Sequence, residues 1–242
     1  ERPLQDWPGM VGARLRWTVG NIVCRRFDER YGVETIGVLR RDQMQTVGAH
    51  GGPDRGADFV AVPERTFLVS LSRIPENDFS EFAFIDFGCG KGRTILLAAA
   101  NGNFDRVVGV EHAPALVEVA QRNLRTWRGE RRCQRIDAIC ADAFDYELPP
   151  QPFVLYMCGP FGGDVVLLQK MFDRISASLA ARPRRAYLIF VDGIRIPLPD
   201  AQAIAAGFAP LTPAGGDHCF DPGTLTTPLH FGVYRHEPQR AS

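Results

Sequence analysis

The residues able to do chemistry cluster in one short stretch, Phe84-Ile85-Asp86-Phe87-Gly88-Cys89-Gly90-Lys91-Gly92-Arg93. It reads as a buried strand, a glycine turn and the first turn of a helix. Glycines at 88, 90 and 92 let the backbone turn sharply and let a ligand lie against bare main chain. The free N–H groups of the following helix would point at that ligand. Glu111 ends the next apolar run, Arg106-Val107-Val108-Gly109-Val110-Glu111. That is where α/β nucleotide folds hold a ribose by its hydroxyls. A turn for the ligand's tail and a carboxylate for its sugar specify a nucleoside cofactor.

The spacing selects among such cofactors. A dinucleotide fingerprint is G-x-G-x-x-G, with a third glycine where helix and strand pack closely. Here that position is Arg93, and the glycines run G-x-G-x-G. Asp86 precedes the first glycine by two residues. It would repel a pyrophosphate and suit a cation. S-adenosylmethionine carries an ammonium and a sulfonium and no phosphate. In these residues the sequence resembles class I S-adenosylmethionine-dependent methyltransferases. Asp86-x-Gly88-x-Gly90-x-Gly92 matches their first motif and Glu111 their ribose-binding acid. Asp142-Ala143-Phe144, after the run 136–141, matches the segment beside the adenine. Tyr31-Gly32-Val33-Glu34-Thr35, with Gly90-Lys91-Gly92-Arg93 and Gly109-Val110-Glu111, is similar to a group of uncharacterised bacterial methyltransferases.

That resemblance implies a set of cofactor contacts: Asp86, Gly88, Cys89, Gly90, Gly92, Glu111, His112, Asp142, Ala143, Cys158 and Gly159. It adds Thr35 and the Pro63 region at the methionine end, beneath an N-terminal segment folded over the cofactor. The sequence departs from its relatives at Tyr156-Met157-Cys158-Gly159-Pro160-Phe161. Amino-group methyltransferases carry Asn or Asp where Gly159 stands, and that side chain accepts hydrogen bonds from the target amine. Here the backbone alone positions the acceptor, or the acceptor is not an amine, or the enzyme is impaired. An oxygen acceptor wants a general base. Asp192 and His218 are the candidates, with His50 as a further one. The expected activity is methyl transfer to a small-molecule or protein acceptor by in-line displacement, leaving S-adenosylhomocysteine. The alternatives are a non-catalytic S-adenosylmethionine-binding or assembly protein and an NAD-dependent oxidoreductase. Arg93 and Asp86 argue against the second.

The elements that must position these residues alternate. Strands are expected at about 82–87, 106–111, 135–141, 153–158 and 186–191, with helices at 92–101, 114–127, 164–180 and 199–206. A helix from Pro63 to Arg73 precedes them, and an antiparallel pair near 208–211 and 229–235 follows. Alternation of this kind implies an α/β fold with a doubly wound parallel sheet. The resemblance makes it seven-stranded, with the last strand antiparallel. Residues 63–242 form the core domain. Residues 1–62 form an N-terminal extension, with an amphipathic helix over 11–31, and could act as a lid over the pocket.

Composition bounds the rest. The chain has 242 residues, 45% hydrophobic and 23% charged, which suits one globular core. Its formal net charge is zero, and on that ground bulk nucleic-acid binding is not expected. The six cysteines form no C-x-x-C pair and no zinc spacing. Together with the lack of a signal-like N-terminus, this points to a reducing, cytoplasmic setting. No apolar run approaches the ~20 residues of a membrane span. Composition leaves the oligomeric state open.

Overall fold

The computed structural model describes residues 25–37, 45–48, 61–192, 198–219 and 229–238, with the backbone only of Asp192. Residues 11–24 of the expected helix over 11–31, and the loop that carries His50, lie outside the described residues. In chain order the elements are helix α1 (described over 25–31), α2 (Glu64–Leu71), β1 (Ala83–Phe87), α3 (Arg93–Asn101), β2 (Arg106–Glu111) and α4 (Pro114–Thr126). After them come β3 (Ile136–Cys140), β4 (Phe153–Cys158), α5 (Val165–Ala181), β5 (Ala186–Asp192), α6 (Asp200–Ala205), β6 (Ala209–Pro210), β7 (Asp217–Cys219) and β8 (Leu229–His236).

The strands lie in the order β3-β2-β1-β4-β5-β8-β6, with β7 also on β8. Strands β1 to β5 run parallel, and β8 runs antiparallel to β5. The order reverses between β1 and β4, so their C-terminal ends open a crevice where α/β sheets take ligands. The seventh position is filled by two short pieces rather than one strand. β6 pairs Ala209 and Pro210 with Arg235 and Tyr234, while β7 pairs Asp217–Cys219 with Phe231–Leu229. Pro210 and Pro213 lack the N–H that a continuous ladder needs, and the chain bends between the pieces.

Both faces of the sheet are covered, which is why β1, β4 and β5 read as unbroken apolar runs. Alternate residues of each strand serve opposite faces. Phe84, Tyr156, Tyr187, Ile189 and Val233 pack with Phe67 of α2, Ile95 of α3 and Ala120 of α4. Ile85, Met157, Leu188 and Phe190 pack with Leu168, Phe172 and Ile175 of α5 and Ala203 of α6. Pro114 opens α4, where its fixed φ and missing N–H cost nothing. Asp164 caps α5 by accepting the Val166 and Leu167 N–H groups at 2.9 and 3.1 Å.

The N-terminal segment is tied into this core. Phe27 of α1 and Tyr31 pack on Trp127, with ring centroids 6.0 and 4.3 Å away. Arg93, at the first position of α3, is 4% exposed and lies under α1. Its Nε donates to the Thr35 hydroxyl at 2.7 Å, and Nη2 is 3.4 Å from Asp28 Oδ1. Asp28 also accepts the Thr35 hydroxyl at 2.5 Å and the N–H groups of Thr35 and Ile36 at 2.7 and 3.0 Å. Asn123 of α4 completes the clamp: it accepts the Glu34 N–H at 2.8 Å and donates to the Glu34 and Lys91 carbonyls at 2.9 Å. Lys91 reaches Glu34 at 3.0 Å and the Ile36 carbonyl at 2.7 Å.

Removing one partner of a buried ion pair strands the other charge, at a cost of about 3–5 kcal/mol. Arg93→Ala is therefore expected to lower the unfolding free energy by that amount in urea titration. A single-variant loss below ~1 kcal/mol, the level of a surface pair, would show that the network holds nothing.

Candidate cofactor site

The glycine turn fits its place because its neighbours leave only backbone room. Gly92, at the N-cap of α3, has φ +87, and a Cβ there would stand 3.2 Å from Ala120 Cβ. The turn is pinned to β2 from below: the Gly88 N–H donates to the Val110 carbonyl at 2.8 Å. Above it is open, since a Cβ on Gly88 would meet nothing within 4 Å. Cys89 is buried, with its sulfur against Gly109. The Cys89 thiol is therefore a packing group under the turn, and burial pushes its pKa well up.

Three carboxylates stand at the ends of three adjacent parallel strands. Glu111 closes β2 and is 5% exposed. One oxygen accepts the Gly90 N–H at 3.0 Å, the other the Ala113 N–H at 3.0 Å. His112 Nδ1 lies 3.1 Å from the second oxygen, and this contact holds the imidazole above its ordinary pKa. Asp142 follows β3 and accepts the Phe144 N–H at 2.9 Å, closing a tight turn through Ala143. Asp86 of β1 is wholly buried and accepts from the Thr94 hydroxyl. Burial raises its pKa to about 7; the Thr94 bond opposes the rise and the Glu111 charge adds to it.

Segment 45–48 crosses this edge. The Val47 N–H donates to the His112 carbonyl at 2.9 Å, and a Cβ on Gly48 would stand 2.4 Å from Asp142 Cβ. The acceptor side begins at β4. Cys158 is half-buried, and Gly159 has φ +53 with open space where a Cβ would project. Phe161 also has positive φ, +56, uncommon for a bulky residue. Its ring stands 5.4 Å from that of Phe144, so the two aromatics wall the mouth beside the Asp142 turn.

Residues 84–184 match the model of a family described as a methyltransferase domain. The matched span runs from β1 to α5 and includes Asp86, Glu111, Asp142 and Gly159. A comparison with curated proteins gave no match. Solved structures share the fold. The precorrin-6y C5,15-methyltransferase of Geobacter metallireducens is 13% identical, with a TM-score of 0.51, covering 85% of this chain and 99% of that one. The tRNA methyltransferase TrmK of B. subtilis is 12% identical, with a TM-score of 0.53, covering 74% and 68%. An RNA methyltransferase of Salinibacter ruber, in complex with S-adenosyl-L-homocysteine, is 18% identical with a TM-score of 0.43, covering 76% and 97%.

These neighbours correct one expectation. A net charge of zero led to the inference of no bulk nucleic-acid binding, yet a tRNA methyltransferase stands among the proteins of this fold. Net charge averages over the whole surface, whereas an RNA meets one face of it. Neutrality therefore does not exclude a nucleic-acid partner.

The residues expected at the site fall into three groups. Asp86, Gly88, Cys89, Gly90, Gly92, Glu111, His112, Asp142 and Ala143 gather along the ends of β1, β2 and β3, with Cys158 and Gly159 at the end of β4. Thr35 is wholly buried in the anchor, its hydroxyl bonded to Asp28 and Arg93. It holds the segment. Asp192 ends β5, the strand next to β4, in register with His230 of β8, which in turn pairs with His218. His218 therefore stands three strands from β4, about 14 Å at ordinary strand spacing. Its ring packs edge-on against His230, 4.2 Å between centroids. Sequence reasoning passed over Thr94, Asn123, Tyr156 and His230. Only Thr94 carried a local signal, a hydroxyl at the second position of the helix after the turn.

Asp86 keeps a proton in the native state that the unfolded chain releases near its ordinary pKa of 3.8. The native state then binds more protons, so stability falls as pH rises from about 4 to about 7. A shift of this size corresponds to about 4 kcal/mol. Asp86→Asn is expected to match the wild type at pH 4 and exceed it by several kcal/mol at pH 8, in urea unfolding without cofactor. An equal gap at both pH values would show that Asp86 is not the group responsible.

Proposed function

We propose that the protein is a class I S-adenosylmethionine-dependent methyltransferase, which holds S-adenosylmethionine along the ends of β3, β2 and β1 and transfers its methyl group to an acceptor at the end of β4. The observation that carries this reading is the row of Asp142, Glu111 and Asp86 on three adjacent strands beside an open glycine turn. When bound, S-adenosylmethionine supplies a methyl group already activated on a sulfonium, which leaves by in-line displacement. The chain's own residues bind, orient and exclude water.

Glu111 already accepts two backbone N–H groups, and its remaining lone pairs suit the ribose hydroxyls. Asp142 and the Ala143 main chain suit the adenine edge, with segment 45–48 above them. Asp86 is a buried acid whose one hydrogen-bond partner among the described residues is neutral Thr94, so a cationic ligand would complement its ionised form. A pyrophosphate would meet three carboxylates instead, which disfavours the oxidoreductase reading.

At the acceptor side Gly159 offers no amide to an amine. Asp192, one strand from Cys158, is the nearer of the two proposed proton acceptors. His218 serves better as a wall of the acceptor space than as the base. Val165 and Val166, 62% and 60% exposed at the start of α5, give that mouth an apolar rim beside Phe161.

Calorimetric titration with S-adenosylhomocysteine, with NAD as the control, tests the cofactor. Binding of the first and none of the second is expected, and NAD binding alone would sink the reading. Glu111→Ala is expected to weaken S-adenosylhomocysteine by ~1.5–3 kcal/mol, through loss of charge-assisted bonds to the ribose. Unchanged affinity would place the ribose elsewhere. Release of S-adenosylhomocysteine over a panel of tRNA, protein and small-molecule acceptors separates a catalyst from a pure binder, which yields none.

A further inference from the structure

Buried hydroxyls without partners are rare, because each has given up water and gained nothing. Among the described residues three buried side-chain atoms lack a partner: Thr66 Oγ1, Tyr156 OH and Arg184 Nε. Arg184 precedes β5, at the edge of the sheet away from the glycine turn. The other two lie on the face that α2 and α3 cover.

Tyr156 sits inside β4 and is wholly buried. Its ring rests between Phe67 of α2, 5.6 Å away, and Phe84 of β1, 6.2 Å away. It stands opposite Asp86 in the parallel register and on the same sheet face. The Cys158 thiol and the Asp86 carboxyl are the ionisable groups whose charges bear on the phenol, so the hydroxyl belongs to the polar end of the strand. Thr66 is the residue before Phe67, on the helix that packs over this ring.

The order of the strands says which part of the ligand would meet it. The proposed adenine and ribose acids end β3 and β2, and the glycine turn follows β1. A ligand laid along that edge reaches β4 with its far end, the amino acid of the methionine moiety. We propose that the Tyr156 hydroxyl is a binding residue for this amino-acid end, working beside Asp86. The inference rests on the cofactor reading above. Asp86 is suited to the ammonium and the phenol O–H to the carboxylate. The same hydroxyl is a liability in the cofactor-free protein, where it finds no partner.

The two consequences have opposite signs, which makes the test decisive. Tyr156→Phe removes one oxygen and keeps the ring. The variant and the wild type are titrated with S-adenosylhomocysteine and with 5′-methylthioadenosine, which lacks the amino-acid end, and both proteins are melted without ligand. The variant is expected to bind S-adenosylhomocysteine about tenfold more weakly. It should bind 5′-methylthioadenosine as the wild type does, and melt no lower. Undiminished S-adenosylhomocysteine affinity overturns the assignment, as does an equal loss for both ligands. A variant that melts several degrees lower, or fails to fold, also overturns it, because the hydroxyl then serves the empty protein. If the wild type itself binds neither ligand, it is the cofactor reading that falls, and this assignment falls with it.

Discussion

A guanidinium sealed beneath the first turn of α3 sets what the rest of the site can be. Arg93 occupies the place where a dinucleotide fold puts a glycine. Its charge is answered by Asp28 and its Nε by Thr35, 65 and 58 residues earlier in the chain. Asp28 uses the same carboxylate to fix the backbone of Thr35 and Ile36. One buried charge thus binds the N-terminal segment, the glycine turn and α3 into a unit. The unpaired alternatives are expensive enough that these parts are expected to move together or not at all. Segment 45–48 lies only nine residues beyond Ile36, and its contacts with His112 and Asp142 start from that anchor.

Against this cationic anchor stands an acidic ligand edge. Glu111 is stabilised before any ligand arrives, by two backbone N–H groups and by His112. Asp86 is not: its one neutral hydroxyl does not offset burial, and its pKa is driven up to about 7. The protein therefore holds one acid ready and the other under tension. A cation beside Asp86 would offset that burial cost, and a phosphate would add to it.

Most of the scaffold was legible in the sequence because it is written in local patterns. The all-apolar β5, the Pro114 start of α4 and the strand-turn-helix about Gly88 each specify themselves over a few residues. The acids were legible for the same reason, since each ends an apolar run. What stayed hidden depends on residues far apart. Nothing local marks Arg93 as the partner of Asp28, or Asn123 as the clamp on Glu34. Thr35 was read as a pocket residue because its motif was visible and its partners were not. His218 was read as a base from its type, and its place two strands beyond β4's neighbourhood is visible only in the pairing of β7 with β8. The division of the last edge into β6 and β7 was written in Pro210 and Pro213, yet their effect depends on which strand they face.

Gly159 brings these constraints together at the reacting end. Its left-handed backbone is one that Asn also tolerates, and nothing fills the space where a side chain would project. The absence of an amide is therefore not forced by crowding. The loop that follows keeps a costly shape around that bare position, with Phe161 held at positive φ against Phe144. Backbone strain survives only where its surroundings over-determine it. The Phe161 conformation is therefore held by its neighbours, the Phe144 ring among them.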